Sequence, residues 1–399
     1  MDAQDYPARP PDQMGLSVLS SLEELARHKS DWDRLAAVDR RDGMFRGYDW
    51  NVLWLKHMEP RVTPHVLEIT CASGEVVGIV PLCRRTYKDS VFRFPSLGFA
   101  GREVTCGDFL DILAAPGYKA RVLSCVFEYL EQALHRNESI VIGECLQGSD
   151  TAQRLSEWVG AKKLRARWQE ERAAPYIELP SSFEEYRRTL SRNMRSNLRR
   201  RERQLLEEQG YTLERLRGPE EVLPQLPHLF RLHEARWRSL GQKGVFAHPG
   251  FCEFLQAFIA EAHPQTETDL YMMCAEDVPM AAILLFRWGE ATLYYQSGWD
   301  PASPGARLSP NLVLFGRAIG DAITEGCRYF EFLRGDEPFK GKFTTTARPT
   351  TTLLVTGDGI KPYLYLVTMR MKDWVKSVVG GRLLAGKRRR KSLFRGEKP

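Results

Sequence analysis

The sequence predicts an α/β protein built as two lobes in tandem, each a mixed sheet flanked by helices. Three observations lead there. The chain has 399 residues, more than one hydrophobic core usually serves. Its composition, 43% hydrophobic and 27% charged with 31 Gly and 23 Pro, is that of a folded globular chain rather than a collagenous or disordered one. Both halves also present the same order of parts: helices, a strand pair around a turn, a further stretch, a helix and a closing strand.

Residues 21–38 read as a helix, because Leu22, Leu25, Trp32 and Leu35 recur near helical spacing behind a capping Ser20 or Ser21. An aromatic-rich helix follows at 48–58. Residues 66–70 and 76–82, separated by a turn at 71–75, read as paired strands. Beyond 92–99 and 109–113, a helix at 119–135 leads into a strand at 139–143. The polar segment 165–175 ends in Ala-Ala-Pro and marks the lobe boundary. The expected domains are therefore 1–175, 176–360, and a basic amphipathic tail at 361–399. The second lobe opens with one long helix, 182–209, capped by Ser182 with Glu185 and stopped by Gly210. Helices at 227–240 and 249–262 precede strands at 269–276 and 280–288, which meet at Asp277-Val278-Pro279. A third strand, 291–299, follows Gly289-Glu290, and a helix at 310–326 leads into a closing strand at 328–333.

The net charge of +6 is unevenly spread. Residues 187–203 hold eight Arg against the single acid Glu202, and residues 382–395 hold seven basic residues and no acid. Two such concentrations in an otherwise acidic chain point to anionic partners: phosphates, anionic lipid or nucleic acid. Residues 1–13 carry Asp2, Asp5 and three prolines instead of a basic stretch and an apolar run, and no apolar run reaches membrane-spanning length. A cytoplasmic location is expected. The eight Cys show no C-x-x-C and no tight cluster with His, so they read as free thiols, without a disulfide framework or a metal site. No G-x-S-x-G, H-E-x-x-H or P-loop is present. His233 reads as a partly buried helix residue.

Three places could carry chemistry. The turn 300–309 delivers a strand into a helix marked by Ser309 as N-cap and Pro310 at its first position, with Gly305 and Arg307 just ahead. A helix start of this kind holds phosphates through free N–H groups and the helix dipole. On the long helix, Phe183, Tyr186, Leu190, Met194, Leu198 and Leu205 form an apolar stripe beside Arg188, Arg192, Arg195, Arg199 and Arg203. Like charges at that spacing oppose the helix, so either an anionic ligand or Glu184, Glu202 and Glu207 offset them. The stretch 330–340 ends a strand in a loop where Glu331, Asp336, Glu337, Arg334 and Lys340 could supply a base and an anion clamp, or a surface ion pair. Tyr294 and Tyr295 must face opposite sides of their strand.

The run from Phe183 to Arg201, the strands 279–285 and 293–300, the loop Phe330-Glu-Phe-Leu-Arg-Gly-Asp-Glu-Pro-Phe-Lys340 and, in the first half, Gly78 to Leu82 and 97–108 resemble the GNAT-type acetyltransferases of the cellulose-biosynthesis (CelD/BcsL-like) group, relatives of the Fem peptidyltransferases. The resemblance implies tandem GNAT-like lobes, with an acyl-CoA, acetyl-CoA first, held by the second lobe and a small-molecule or saccharide acceptor in the cleft between them. It implies donor contacts at Gly305, Arg307, Ser309 and Asn311, catalysis by Glu331, Asp336 and Tyr295, acceptor contacts at Arg192, Arg195, Arg199, Arg334 and Lys340, and no metal. Arg307 is followed by Leu-Ser-Pro-Asn-Leu, without the glycines usual in that family at the third and fifth positions beyond it. The Fem relatives take an aminoacyl group from tRNA, so a nucleic-acid donor stands as the alternative, and a non-catalytic binder of an anionic polymer as a third reading. The tail from Leu364 onward, with Leu366, Val367, Trp374, Val378, Leu383, Leu384 and Phe394 among basic residues, reads either as a peripheral membrane segment or as a helix packed on the second lobe with a basic end.

Overall fold

Long apolar runs that alternate toward two different cores account for the central part of the molecule. Val278–Trp288 is buried along nearly its whole length, as a strand covered on both faces must be. Ala291–Trp299 sends Tyr294 to one face and Tyr295 to the other, as period-two geometry requires. The structure, a computed structural model, describes residues 14–59, 62–89, 91–105, 107–169, 172–335 and 337–371.

The fold is mixed α/β, with sheets flanked by helices in both halves of the chain. Among the described residues, four strands of the first half form a small sheet in the order Gly15–Leu19, Val66–Thr70, Val76–Val80, Leu113–Ala114. Twelve more join in one sheet that runs through both halves. From the second half come Thr212–Arg217, Thr266–Ala275, Val278–Trp288, Ala291–Trp299 and Tyr329–Glu331; the first half contributes Ser139–Leu146, Phe92–Phe99, Leu82–Asp89 and Thr63–Pro64. Arg172–Glu178 joins the two groups. Its first four residues pair with 347–350, and its last three with 329–331.

Two expectations are corrected here. The lobe boundary anticipated near residue 175 falls inside the strand Arg172–Glu178. Residues 347–355, assigned to the second lobe, pair with Ser139–Leu146 and Ala166–Trp168 of the first. Local composition could not reveal either, since strand pairing is a long-range choice.

The core is shared in the same way. Trp50 of the first half meets Phe254, Phe258 and Tyr295 of the second edge-to-face at 5.0, 5.0 and 5.7 Å. A second core lies under Pro310–Thr324 on the other face of the second-half sheet, around Tyr294, Phe315, Phe330 and Phe332. A third, smaller cluster gathers Phe94, Val141 and Leu354 with Tyr365 and Leu366 of the helix at 360–371. That helix packs on the first-half strands and on Leu354 of the strand 347–355 that pairs with them.

The long helix expected at 182–209 is broken. Phe183–Thr189 ends at Leu190, whose backbone is extended, and Ser191 starts Arg192–Glu202 afresh by accepting the Met194 N–H at 3.2 Å. A side-chain oxygen that caps a new turn competes with continuing the old one, and Leu190 is thereby turned into the second core. At the front of this helix the Ser182 hydroxyl accepts the Glu185 N–H, but the Glu185 carboxylate takes the Ser181 hydroxyl, so only half of the expected capping box forms. The complete box is at Ser21 and Glu24. The hairpin between the second-half strands turns at Glu276 and Asp277, both left-handed (φ 48° and 65°), one step earlier than expected.

Candidate functional site

Ala291–Trp299 and Tyr329–Glu331 run parallel, but they pair only at 291–293 and 329–331. Beyond Leu293 the longer strand continues to Trp299, while the chain after Glu331 turns toward the crossing strand, where the Phe332 N–H donates to the Pro175 carbonyl at 2.9 Å. The strand thus has no strand partner on that side over its second half. A short turn, Pro304–Leu308, then leads to Pro310–Thr324. Ser309 stands at the N-cap position as expected but does not cap. It is left-handed (φ 55°, ψ 63°), its side chain makes no cap hydrogen bond, and its N–H is taken by Ala306. The tight turn delivers the chain at an angle that only a left-handed residue can join to the helix, which leaves the hydroxyl exposed.

A cavity of about 910 Å³ opens at this helix start. Tyr176 and Glu178 of the crossing strand, Asn193, Asn197 and Arg201 of Arg192–Glu202, Ser309, and the stretch 341–346 with Lys342 line it. Neither Arg201 nor Lys342 has a carboxylate partner among the described residues. A site with two uncommitted cations, several hydroxyls and amides, and a helix N-terminus fits an anionic group. Of the four residues expected at the donor, Ser309 lines this cavity. Arg307 is exposed outside its lining, Asn311 has a buried Oδ1 without a partner, and Gly305 packs against Tyr211, where a Cβ would sit 2.6 Å from the ring.

The arginine face survives the break in its helix. Arg188, Arg192, Arg195, Arg199 and Arg203 together line a second concavity of about 760 Å³. Arg195 donates to the carbonyls of Arg188 and Leu190 at 3.1 and 2.8 Å, closing the broken helix end, and Arg203 pairs with Glu208 at 2.9 Å. Among the described residues Arg188, Arg192 and Arg199 make no ion pair, although Glu184 lines the same concavity. The offset by Glu202 and Glu207 considered from the sequence therefore does not form, and Glu184 pairs with Arg187. The same helix shows one face to this concavity and the other to the 910 Å³ cavity.

The loop after Glu331 is tied into the seam between the halves. Arg334 donates through its backbone N–H to Asp108 at 2.6 Å, and its guanidinium pairs with Asp108 and Glu144. Among the described residues its carboxylate partners are Asp108 and Glu144 of the first half. Lys340 is buried; its ammonium donates to the carbonyls of Leu333 and Arg334 at 3.2 and 2.8 Å and pairs with Glu337 at 2.9 Å. Glu331 is fully buried, with Oε1 held by Arg41 at 2.7 Å and Arg348 at 2.9 Å, while Oε2 has no partner. Burial pushes its carboxyl above the usual carboxylate range, against the pull of Arg348 and Arg41. Asp108 is raised by burial in the same way, against Arg334. Arg348 in turn holds Asp42 through two bonds of 2.8 and 2.7 Å. Tyr295 donates its hydroxyl to the Thr105 carbonyl at 2.9 Å, so it too spans the seam. Asp336 lies outside the described residues.

Three non-glycine residues with positive φ flank this cluster: Phe109 (55°), Glu144 (61°) and Leu333 (57°). Such conformations persist only where the surroundings over-determine them. Asp108, Glu144, Arg41, Asp42 and Arg348 were not singled out from the sequence. Asp108 closed the quoted 97–108 stretch; the others carry no local signal, because their partners are up to 306 positions away. Among the described residues no group of three or more His, Cys, Asp or Glu is placed to hold a metal ion.

Residues 192–341 match the family model for an acetyltransferase (GNAT) domain. No curated protein matches the chain. Three solved structures share its fold. FemX has a TM-score of 0.55 at 11% identity, over 81% of this chain and 95% of that one. A conserved protein of unknown function from Bacteroides thetaiotaomicron VPI-5482 has 0.52 at 12%, over 85% and 100%. The C-terminal domain of a protein assigned as a lysylphosphatidylglycerol synthetase, from Agrobacterium fabrum, has 0.51 at 13%, over 87% and 96%. The matched segment contains the parting strands, the helix start at Pro310 and the Arg334 loop.

Proposed function

We propose that this GNAT-domain protein moves an acyl group from acetyl-CoA or another acyl-CoA to an amine or hydroxyl of an envelope- or polysaccharide-related acceptor. The observation that carries this reading is the 910 Å³ cavity at the start of Pro310–Thr324, which Ser309 lines together with Arg201 and Lys342. The donor's pyrophosphate is assigned to Ser309, Arg201 and Lys342, and its thioester arm to the unpaired edge of Ala291–Trp299. The acceptor's nucleophile attacks the acyl carbonyl, backbone donors of that strand stabilise the oxyanion, the C–S bond breaks, and the thiolate leaves. Asp336 or water takes the nucleophile's proton. Glu331, sealed between two guanidiniums, and Tyr295, spent on Thr105, hold the seam.

Calorimetric titration with acetyl-CoA tests the donor. Saturable binding is expected, weakened about tenfold or more when Arg201→Ala and Lys342→Ala are combined. Asp336→Asn should lower turnover with donor affinity intact; unchanged turnover would remove that carboxylate from the mechanism. The arginine concavity favours a second reading, an aminoacyl-tRNA donor, because three of its guanidiniums make no ion pair among the described residues and a phosphodiester backbone would pair them. Absence of binding by any acyl-CoA, with salt-sensitive binding of tRNA, would select it.

A further inference from the structure

The helix at 360–371 is amphipathic twice over. Its inner face seats Tyr365, Leu366 and Met369 on the first-half sheet, and the Tyr365 hydroxyl donates to Asp89 at 2.8 Å. Its outer face carries Ile360, Tyr363, Leu364 and Met371, which are 73%, 45%, 47% and 62% exposed. With the half-buried Val367 between them, these stand at helical spacing, three or four residues apart. The spacing continues in the sequence through Trp374 and Val378, and residues 382–395 then add seven basic side chains and no acid. Beside the helix, the hairpin Leu82–Asp89 and Phe92–Phe99 brings its tip close, with Phe92 5.3 Å from Tyr365. At that tip Val91 is 87% exposed, and Lys88 and Arg93 are exposed on either side. Lys88, Arg93, Lys361 and Arg370 have no carboxylate partner among the described residues.

We propose that this face docks on an anionic lipid surface, with the outer stripe of the helix entering the headgroup boundary and the surrounding cations Lys88, Arg93, Lys361 and Arg370 pairing with lipid phosphates. A second copy of the chain would bury the apolar stripe equally well, but it would bring the uncommitted cations against one another. Anionic lipid satisfies both, since apolar burial and about 1 kcal/mol per cation near the surface act together. This inference does not depend on the acyl donor and holds whichever reading of the cavity is correct.

Vesicle co-sedimentation of the full chain tests it, using phosphatidylcholine alone and phosphatidylcholine with a minority of phosphatidylglycerol. The chain is expected to pellet with the anionic vesicles at low salt, to be released at high salt, and to stay in solution with the neutral ones. Leu364→Asp with Ile360→Asp should lower the bound fraction about tenfold or more, and Lys361→Ser with Arg370→Ser should lower it further; both pairs should leave the melting temperature unchanged. Arg192→Ser with Arg199→Ser, in the distant concavity, should leave vesicle binding intact. No binding to anionic vesicles, loss of binding by the Arg192 and Arg199 pair but not by the helix pair, or a concentration-dependent dimer abolished by Leu364→Asp in a chain that ignores vesicles would each overturn it.

Discussion

Arg334 and Asp108 stand 226 positions apart, yet they bond to each other across the seam. Asp108 is fully buried, and removing its cation leaves a charge in the interior. Arg334→Ala should therefore cost about 3–5 kcal/mol, read as a lower urea midpoint, and the double variant with Asp108→Ala should recover part of that loss. His233 offers a pH test. The ring is buried and bonded through Nδ1 to the Ser297 carbonyl at 2.9 Å; burial, with Arg236 nearby, lowers its pKa to about 4. The unfolded chain protonates near 6.5, before the folded chain does, so stability is full above that pH and falls as pH drops from about 6.5 to about 4. The loss attributable to this ring at pH 5 is about 2 kcal/mol. His233→Asn should show a shallower decline in melting temperature between pH 7 and pH 5. An unchanged slope would mean that the ring is not the group responsible. The sequence reading of His233 as a buried helix residue agrees with its position; nothing local could have announced Arg41 or Arg348.

At the scale of elements, the break at Leu190–Ser191 matters most. It divides an apparently continuous amphipathic run, and it does so with a serine that reads locally as one more helix residue. Ser191→Ala should cost about 1 kcal/mol through loss of the cap, without changing the net charge. Arg192→Ser and Arg199→Ser should act in the opposite sense on stability, relieving a few tenths of a kcal/mol of like-charge repulsion. The same pair should weaken binding of a phosphorylated ligand and flatten its salt dependence. Ligand affinity that ignores both substitutions would leave the arginine face without a binding role. The apolar stripe and the arginine spacing were legible because helical periodicity is written in nearest-turn intervals. The cap at Ser191 was not, because Leu190 leaves the helix to be buried against Tyr186, Met194 and Phe343, and that core exists only after folding.

Over the whole molecule, the strand Ala347–Val355 closes a sheet that neither half completes alone. A chain ended after Thr346 loses one of the two strand partners of Ser139–Leu146 and over half the pairing of Arg172–Glu178, and is expected to be recovered insoluble. A chain ended after Met371 should fold with a cooperative melt. Soluble, cooperatively melting protein from the shorter chain would show that the halves do not need this strand. Charged groups reinforce the same seam: Arg41 and Arg348 on Glu331, and Arg334 on Asp108 and Glu144.

The sequence by itself determined the α/β class, most of the strands and helices, the opposite facing of Tyr294 and Tyr295, the concentration of arginines, and the helix start at Pro310. These rest on period, caps and charge, which act over a few residues. Tertiary structure alone decided that the halves share a sheet and a core, that Glu331, Arg334 and Tyr295 bond across the seam, and that Arg201 and Lys342 meet Ser309 at the cavity. Those outcomes depend on which distant groups must share the interior, where a buried charge needs a partner wherever in the chain it lies.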